Sequence, residues 1–409
     1  MRKIIHSDGN AFYASIEQVY QPKLRGKAMA VGGSEESRHG IILAKSEQAK
    51  KFGVKTGMPL WEARQKCPNI IIVPPHFDRY LTYSKITKEI YEEYTDKVQF
   101  FGLDEAWLDI NGSETLFGDE ITIAKKISKR IRSELGITVS MGISYNKIFA
   151  KLGSDMAKAN QILLIGEDDI HKVWKLPANN LLYVGKATMA KLAGKGILTI
   201  GDLANTDPQR LRSFLGKWGI TLWQYANGLD NSEVVSGDYV PKNISIGNST
   251  TTPHDLITEQ DIKITLYVLA ESVAARLRES GLRCNTVSIS IRYNDLYAIE
   301  RQAKLDFTTC TSTTIAKRAY ELFEKNTNGV PVRSLGVRAM NLVSEQEAQL
   351  SLFPEVKKDA KLQRIETNVD WLRGRYGHYI IQRAIMLNNK VLSGINPKSD
   401  HTIHPVAFM

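Results

Sequence analysis

The chain has only three cysteines, Cys67, Cys284 and Cys310, far apart and odd in number. That excludes a disulfide framework and a cysteine-built zinc site, and it suits a reducing compartment. No run of about 18 apolar residues occurs, so no segment reads as a membrane-spanning helix. The opening Met-Arg-Lys-Ile-Ile-His-Ser-Asp turns polar too early for a secretory signal, and a soluble cytoplasmic protein is the expectation. A long tail of one charge is also missing: residues 346–409 carry nine basic and six acidic groups.

What is present is ordinary in bulk. The 409 residues are 43% hydrophobic and 24% charged, more chain than one core usually covers, so roughly two to four domains are expected. Lys and Arg number 54 against 44 Asp and Glu, a net charge of +10. A surplus this thinly spread fits a folded basic surface facing phosphate, but many proteins that never meet nucleic acid share it.

Residues 3–7 predict a short apolar strand ending at Asp8, and residues 11–20 a helix. A Gly32-Gly33 turn, an apolar run at 41–44 and Pro59, Pro68 and Pro74-Pro75 bracket a small subdomain, 12–74, inserted after the first strand. Residues 80–94 predict a helix, 98–110 two strands around a turn, 118–135 a helix, 138–143 a strand and 146–157 another helix. That alternation predicts a sheet with helices packed on one face.

From 167 to 233 small helices with Gly turns take over, among them Leu182-Tyr183-Val184-Gly185-Lys186 and Phe214-Leu215-Gly216-Lys217. A polar linker, 234–242, follows. Val287, Ile289, Ile291 and Tyr293 then alternate with polar residues, the period of a half-buried strand. Leu266, Leu269, Val273 and Leu277 fall on one helical face before it. With strands near 243–252, 298–307 and 334–343 and a helix near 313–327, residues 243–345 predict β-α-β-β-α-β, a split, ferredoxin-like unit. In the tail, 346–409, Trp371, Leu372, Tyr376, Ile380 and Ile381 predict one amphipathic helix or two short ones.

Asp8 closes the first strand, and Asp104-Glu105 lies in the turn region between two others. Carboxylates at strand ends of a common sheet converge despite their separation in sequence. Three of them make a hard oxygen site suited to Mg²⁺. Asp-Glu pairs are also common in solvated turns, and spacing alone leaves both readings open.

The stretch His6-Ser7-Asp8-Gly9-Asn10-Ala11-Phe12-Tyr13-Ala14-Ser15-Ile16-Glu17 resembles the opening motif of the Y-family, lesion-bypass DNA polymerases. Asp104-Glu105-Ala106-Trp107-Leu108-Asp109 resembles their second acidic motif. Gly142-Ile143-Ser144-Tyr145-Asn146-Lys147-Ile148-Phe149-Ala150-Lys151 with Asp155-Met156-Ala157-Lys158 resembles the third. Further matches include Ser245-Ile246-Gly247-Asn248-Ser249-Thr250-Thr251 and Arg333-Ser334-Leu335-Gly336-Val337-Arg338. They run in order to about residue 345 and are closest to the polymerase IV branch.

The resemblance implies an α+β right hand: a ferredoxin-like palm (1–11 and 75–166), small fingers (12–74), a helical thumb with helix-hairpin-helix turns (167–233), a linker (234–242) and a β-α-β-β-α-β little finger domain (243–345). It implies a template-directed, low-fidelity DNA polymerase, a monomer active in mutagenic repair of DNA damage in the SOS response. It joins dNTPs to a primer 3′-hydroxyl on primer–template DNA with two Mg²⁺ ions, Mn²⁺ substituting. Asp8 and Asp104 are implied to bridge both ions, Glu105 to complete the catalytic one and the Gly9 carbonyl to bind the nucleotide ion. The backbone amides of Phe12 and Tyr13 would receive the triphosphate at a helix N-terminus, with Lys50 and Lys158 neutralising it. Tyr13 is implied to be the steric gate against a ribose 2′-hydroxyl.

Several positions depart from the family pattern. Asn10 replaces a frequent Asp that is not a metal ligand. Ala44, Glu47 and Lys50 stand where Thr, Tyr and Arg often contact phosphate, and Glu47 is expected to point away. Gly102 replaces a usual Ser, and Ala159 a frequent Pro.

The turns at Gly185-Lys186 and Gly216-Lys217 resemble helix-hairpin-helix elements that hold a DNA backbone without reading sequence, although a Gly-Lys turn alone is commonly a helix C-cap. Arg292, Arg333 and Arg338 are further candidates for backbone contact. Gln349-Leu350-Ser351-Leu352-Phe353 resembles the peptide by which bacterial polymerases bind the sliding clamp, with Gln349, Leu350, Leu352 and Phe353 as anchors. The 56 residues beyond Phe353, and Asn10, resemble the polymerase V catalytic subunit. The tail is read either as packing back on the protein or as docking a further protein. The main competing function is a non-catalytic scaffold that recruits other polymerases to the clamp. Such proteins tend to lose the acidic triad, which is complete here. A nucleotidyl cyclase would not need the thumb turns or clamp peptide, and a helix-hairpin-helix nuclease would lack the Tyr13 gate.

Overall fold

The computed structural model describes residues 2–34, 38, 40–237, 243–347 and 353–400. The chain divides into two compact units, the first chiefly residues 1–33 and 41–240, the second chiefly 241–404. None of the described helices is long and apolar enough to cross a membrane.

The first unit is organised by β1 (Ile4–Gly9), whose residues 4–7 are fully buried. After it come α1 (Phe12–Tyr20), β2 (Met29–Gly32), β3 (Ile42–Lys45), α2 (Glu47–Lys51), α3 (Leu60–Lys66), β4 (Ile71–Val73) and α4 (Phe77–Glu92). Then follow β5 (Val98–Phe101), β6 (Glu105–Asp109), α5 (Glu114–Phe117), α6 (Glu120–Arg130), β7 (Val139–Ser144), α7 (Lys147–Met156) and β8 (Ile162–Ile165). The main sheet runs β5-β6-β1-β7-β8. Without its edge strand β8, which pairs parallel to β7, the order β5-β6-β1-β7 is the ferredoxin-like one expected for a palm.

The expectation of helices on one face needs correction. Ile5, Ala106, Leu108, Val139, Met141 and Ile143 point to one side, in a core completed by α4 and α6. Strand alternation turns Ile4, His6, Trp107 and Gly142 to the other side, and α7 packs there. Gly142 is what admits it: a Cβ at this position would lie 1.9 Å from the Ala150 carbonyl oxygen.

The small sheet β3-β2-β4 forms the body of the inserted segment. Helix α1 serves both layers, with Phe12 and Ile16 in the main core and Ala14 packed with Leu24, Met29, Val31 and Val73. Beyond β8 lie α8 (Ile170–Val173), α9 (Lys186–Ala193), α10 (Ile200–Ala204), α11 (Pro208–Leu215) and α12 (Lys217–Ala226). Their core of Val173, Leu192, Ile200, Leu211 and Leu222 takes in Phe149 and Leu152 from α7, which ties the helical segment to the sheet.

The second unit contains β9 (Ser245–Leu256), α13 (Glu259–Glu279), β10 (Leu282–Tyr293), β11 (Ala298–Thr309), α14 (Ser312–Asn326) and β12 (Val332–Ser344). The predicted chain order of elements is present, but the strands run β11-β10-β12-β9. The first strand therefore sits at an edge rather than in the middle, so the ferredoxin-like order is realised in the first unit and not here. Leu335, Val337 and Ala339 of β12 are buried under the helices and suit a central strand.

The tail forms α15 (Pro354–Tyr376), then α16 (Lys390–Ser393) and α17 (Pro397–Asp400) after short 3₁₀ turns. It packs back on the second unit, with Met386 and Leu392 in that unit's core. Of the apolar residues that predict an amphipathic helix, Leu372 is half-buried, but Trp371 is 61% exposed, and Tyr376, Ile380 and Ile381 are exposed as well. The inner face of α15 carries buried Asp359 and Glu366 instead. Asp359 accepts hydrogen bonds from the hydroxyls of Thr309, Thr311 and Thr314. Glu366 accepts from the Ser312 and Thr313 amides at the start of α14, where no side chain of α14's own N-cap does so. Arg278 and Arg383 neutralise it.

Candidate active site

A cavity of about 780 Å³ lies between the main sheet and the small sheet. Asp8, Gly9, Phe12, Tyr13, Lys50, Asp104 and Lys158 all line it, together with Lys45, Glu47, Ser140 and Asp155. Strand register explains the acidic convergence: Asp8 on β1 is the direct partner of Glu105 on β6. The Gly9 amide donates to the Asp104 carbonyl at 2.9 Å, which pins the turn that carries Asp104. Gly102 starts that turn with φ +84°, a conformation costly for any residue with a side chain.

The three carboxylates differ electrostatically. Burial first, then Asp8 and Glu105, push Asp104 up to about 7. Burial, partly offset by Lys151, pushes Asp8 up to about 6. Burial also works against ionisation of Glu105, but His6 and Lys151 outweigh it and leave that carboxyl below its ordinary value. Lys151 Nζ lies 3.2 Å from Asp8 Oδ2, 2.9 Å from Glu105 Oε2 and 2.7 Å from Asp155 Oδ1. His6 is fully buried, held below its ordinary value by that burial, and sits 2.7 Å from Ser154 Oγ and 3.4 Å from Glu105 Oε2. Glu105 Oε2 nonetheless has no well-aligned hydrogen bond among the described residues.

These groups fit a divalent cation. They are hard oxygen donors, two are protonated more readily than a free carboxyl because burial disfavours their charge, and one buried oxygen is under-satisfied. The site is not pre-assembled, however. Among the described residues no three acidic, His or Cys side chains are gathered in metal-holding geometry.

Residues of α1 and α2, the elements expected to meet a nucleotide, line another part of the cavity. Ala11 adopts φ 47°, ψ 46°, and no side chain caps α1, which leaves its first amides turned to the cavity end. Ser46 caps α2 by accepting from the Ala49 amide. Glu47 does not point away, as expected from sequence, but lines the same cavity, 3.5 Å from Lys50 Nζ. Its place in the first turn of α2 favours an acid there. Asn10 points away from the carboxylates. Its Oδ1 accepts from Thr138 Oγ1 and the Asn160 amide, and its Nδ2 donates to Ser140 Oγ, which donates to the Lys158 carbonyl. Asn10 thereby latches the Lys158 loop. Sequence reading gave no role to Lys45, Lys151, Asp155 or His6, although the last three sit in the quoted motifs.

The DNA-contact candidates fall into separate groups. Gly185 is the N-cap of α9 at φ −76°, and Gly216 joins α11 to α12 at φ 68°, ψ −152°; a Cβ at either meets nothing within 4 Å. Gly185 is therefore no C-cap. On the second unit, Arg292 and Arg338 extend from the helix-free sheet face beside Ser288, Ser290, Ser249 and Gly336. Arg333 sits at a β-bulge between the regular pairs. Gln349, Leu350 and Leu352 of the clamp-like peptide lie outside the described residues, and Phe353 is exposed.

An acidic cluster beside an open cavity, on a ferredoxin-like sheet, with an uncapped helix N-terminus lining the same cavity, fits the polymerase class that the motifs imply. The impB/mucB/samB family matches residues 7–155, and its C-terminal domain matches residues 243–352. The chain belongs to this family, the Y-family DNA polymerases of polymerase IV type, and it is a DNA-directed DNA polymerase. It is 49% identical to the DNA polymerase IV of Acetivibrio thermocellus over 96% of this chain and 100% of that one. With DNA polymerase IV 1 of Bacillus subtilis it shares 37% identity over 95% and 94%. A solved Y-family DNA polymerase chimera superposes with a TM-score of 0.73 at 24% identity, over 84% of this chain and 99% of that one. Alignments this long extend past Phe353, so the trailing segment belongs to polymerase IV relatives too and is no mark of polymerase V.

Proposed function

We propose that this polymerase copies DNA past damaged template bases with low fidelity, by nucleotidyl transfer at a pair of divalent cations. The observation that carries the proposal is the single cavity in which Asp8, Gly9, Phe12, Tyr13, Lys50, Asp104 and Lys158 meet from distant parts of the chain. In this reading the palm is 1–11 with 75–166, the fingers 12–74, the thumb 167–233, the linker 234–242 and the little finger 243–345, followed by the tail, 346–409.

Asp8 and Asp104 would hold both ions, Glu105 the one nearer the primer end and the Gly9 carbonyl the one on the nucleotide. Bound Mg²⁺, or Mn²⁺ in its place, supplies a more acidic primer 3′-hydroxyl and neutralises charge on the leaving pyrophosphate. The chain's own groups position the reactants. The Phe12 and Tyr13 amides face the triphosphate at the start of α1. Lys158, held by the Asn10–Ser140 latch, and Lys50 neutralise its oxygens. The Tyr13 ring closes the space that a 2′-hydroxyl would need.

The backbone turns at Gly185-Lys186 and Gly216-Lys217 grip the duplex, assisted by Arg292, Arg333 and Arg338. Gln349, Leu350, Leu352 and Phe353 tether the enzyme to the sliding clamp, which raises its local concentration at a primer end. The protein acts in the cytoplasm on the nucleoid. Primer extension on undamaged and abasic templates, with and without clamp, tests the proposal. Extension beyond the abasic site supports it; a complete stop there, with normal copying of the undamaged template, overturns the bypass function.

A further inference from the structure

Lys151 carries none of the roles above, yet it stands at the centre of the acidic site. Its side chain projects from α7 and is 8% exposed overall. Its ammonium contacts Asp8, Glu105 and Asp155 at 3.2, 2.9 and 2.7 Å. Burying a lysine among carboxylates is an expensive way to gain stability, since desolvation cancels much of the attraction.

Two features of the contacts are informative. Asp8 and Glu105, both expected to hold a cation, are the two that share this ammonium, whereas Asp104 has no Lys, Arg or His within ion-pair distance among the described residues. The third partner, Asp155, lies one turn along α7, at the shortest distance of the three, and its side chain is 43% exposed. The lysine can therefore leave two carboxylates without losing the third.

We propose that Lys151 is a resident counter-ion of the active site, and that a divalent cation loads by displacing its ammonium from Asp8 and Glu105 onto Asp155. This inference rests on the two-cation reading of the triad and deepens it. Lys151 offsets part of the carboxylate charge at low cation concentration and sets the concentration at which the site fills. The first ion to arrive works against the lysine; the second meets a site already cleared, so loading is steeper than for two independent sites.

The test is Mn²⁺ binding to the full-length protein, followed by electron paramagnetic resonance at fixed ionic strength, with thermal melting in parallel. Lys151→Met keeps the stem and removes the charge. It is expected to tighten Mn²⁺ about tenfold, the scale of one partly screened ion pair, while lowering the melting temperature without metal and recovering it with Mn²⁺. Unchanged or weaker Mn²⁺ binding overturns the inference. Asp155→Asn, at an exposed position, serves as a second probe that does not depend on folding of the first variant. It is expected to weaken Mn²⁺ in the wild-type background and to have no effect with Lys151→Met. An equal loss in both backgrounds makes Asp155 a ligand and overturns displacement. Should wild type bind no Mn²⁺ that Asp104→Asn removes, the two-cation reading itself fails, an outcome distinct from either of these.

Discussion

The Tyr13 ring stacks on Tyr80 with centroids 4.3 Å apart and planes 13° from parallel, and the Tyr80 hydroxyl donates to the buried Glu17 carboxylate at 2.8 Å. Glu17 lies one turn beyond Tyr13 on α1 and also takes hydrogen bonds from His76 and Arg79. The ring proposed as the gate is thus braced from behind by a second ring whose position is fixed by a charge network. A wall excludes an extra hydroxyl only if it cannot yield. Tyr13→Ala should raise ribonucleotide incorporation on the order of a hundredfold, and Tyr80→Leu, which leaves Tyr13 in place but unbraced, by a smaller factor. Single-nucleotide kinetics with paired dNTP and rNTP read both. Unaltered sugar selectivity in Tyr13→Ala would remove the gate assignment.

Glu47 faces the nucleotide cavity and shares Lys50 with it. Exposed pairs of this kind are worth up to about 1 kcal/mol, so Glu47→Gln should release Lys50 and lower KM for dNTP by roughly two- to fivefold, with kcat little changed. A raised KM would mean that the acid helps the nucleotide side in some other way.

Gly185 has ordinary φ and open space where a Cβ would go, so nothing inside the fold demands glycine there. In the proposed reading glycine serves there to let a DNA backbone approach closely. Gly185→Ala should leave the stability within about 0.5 kcal/mol of wild type yet weaken binding to duplex DNA. Lys186→Ala and Lys217→Ala should each reduce the slope of log K against log salt by about 1. Fluorescence anisotropy across a salt series separates these effects, and three unchanged titrations would take the DNA grip away from these turns.

Glu366 joins the tail to the second unit by capping α14 and pairing with Arg278 and Arg383. Removing one member of a buried charge network costs about 3–5 kcal/mol. Glu366→Ala is expected to destabilise the second unit by that order, seen as an earlier unfolding transition in urea. A melt like that of wild type would show the tail to be only loosely attached.

Most of the first unit was legible in the sequence because its signals are local. Apolar runs end at carboxylates, Asn146 and Asp119 cap α7 and α6, and turn glycines sit between strands. The acidic site was legible through motif order, while its convergence depended on the register that sets Asp8 opposite Glu105. What escaped is non-local. Strand order in the second unit is decided by which strand is buried on both sides, and the chain order of elements is the same for either arrangement. Packing of α7 on the far face of the sheet turns on Gly142, a missing side chain that no apolar pattern reports. The inner face of α15 was invisible to a search for apolar periodicity because Asp359 and Glu366 carry it. Lys151 resembles any helix-surface lysine paired four residues on with an acid, and only the fold brings Asp8 and Glu105 to it.

The central claim is that Asp8, Asp104 and Glu105 act on one nucleotide, and Asp104→Ala tests it most directly. Purified variant and wild type are compared in primer extension with Mg²⁺ and dNTPs, with duplex affinity measured alongside. Loss of at least about a hundredfold in rate, the scale seen when one stabiliser of transition-state charge is removed, with DNA binding retained, is the expected result. Extension at the wild-type rate would contradict the account.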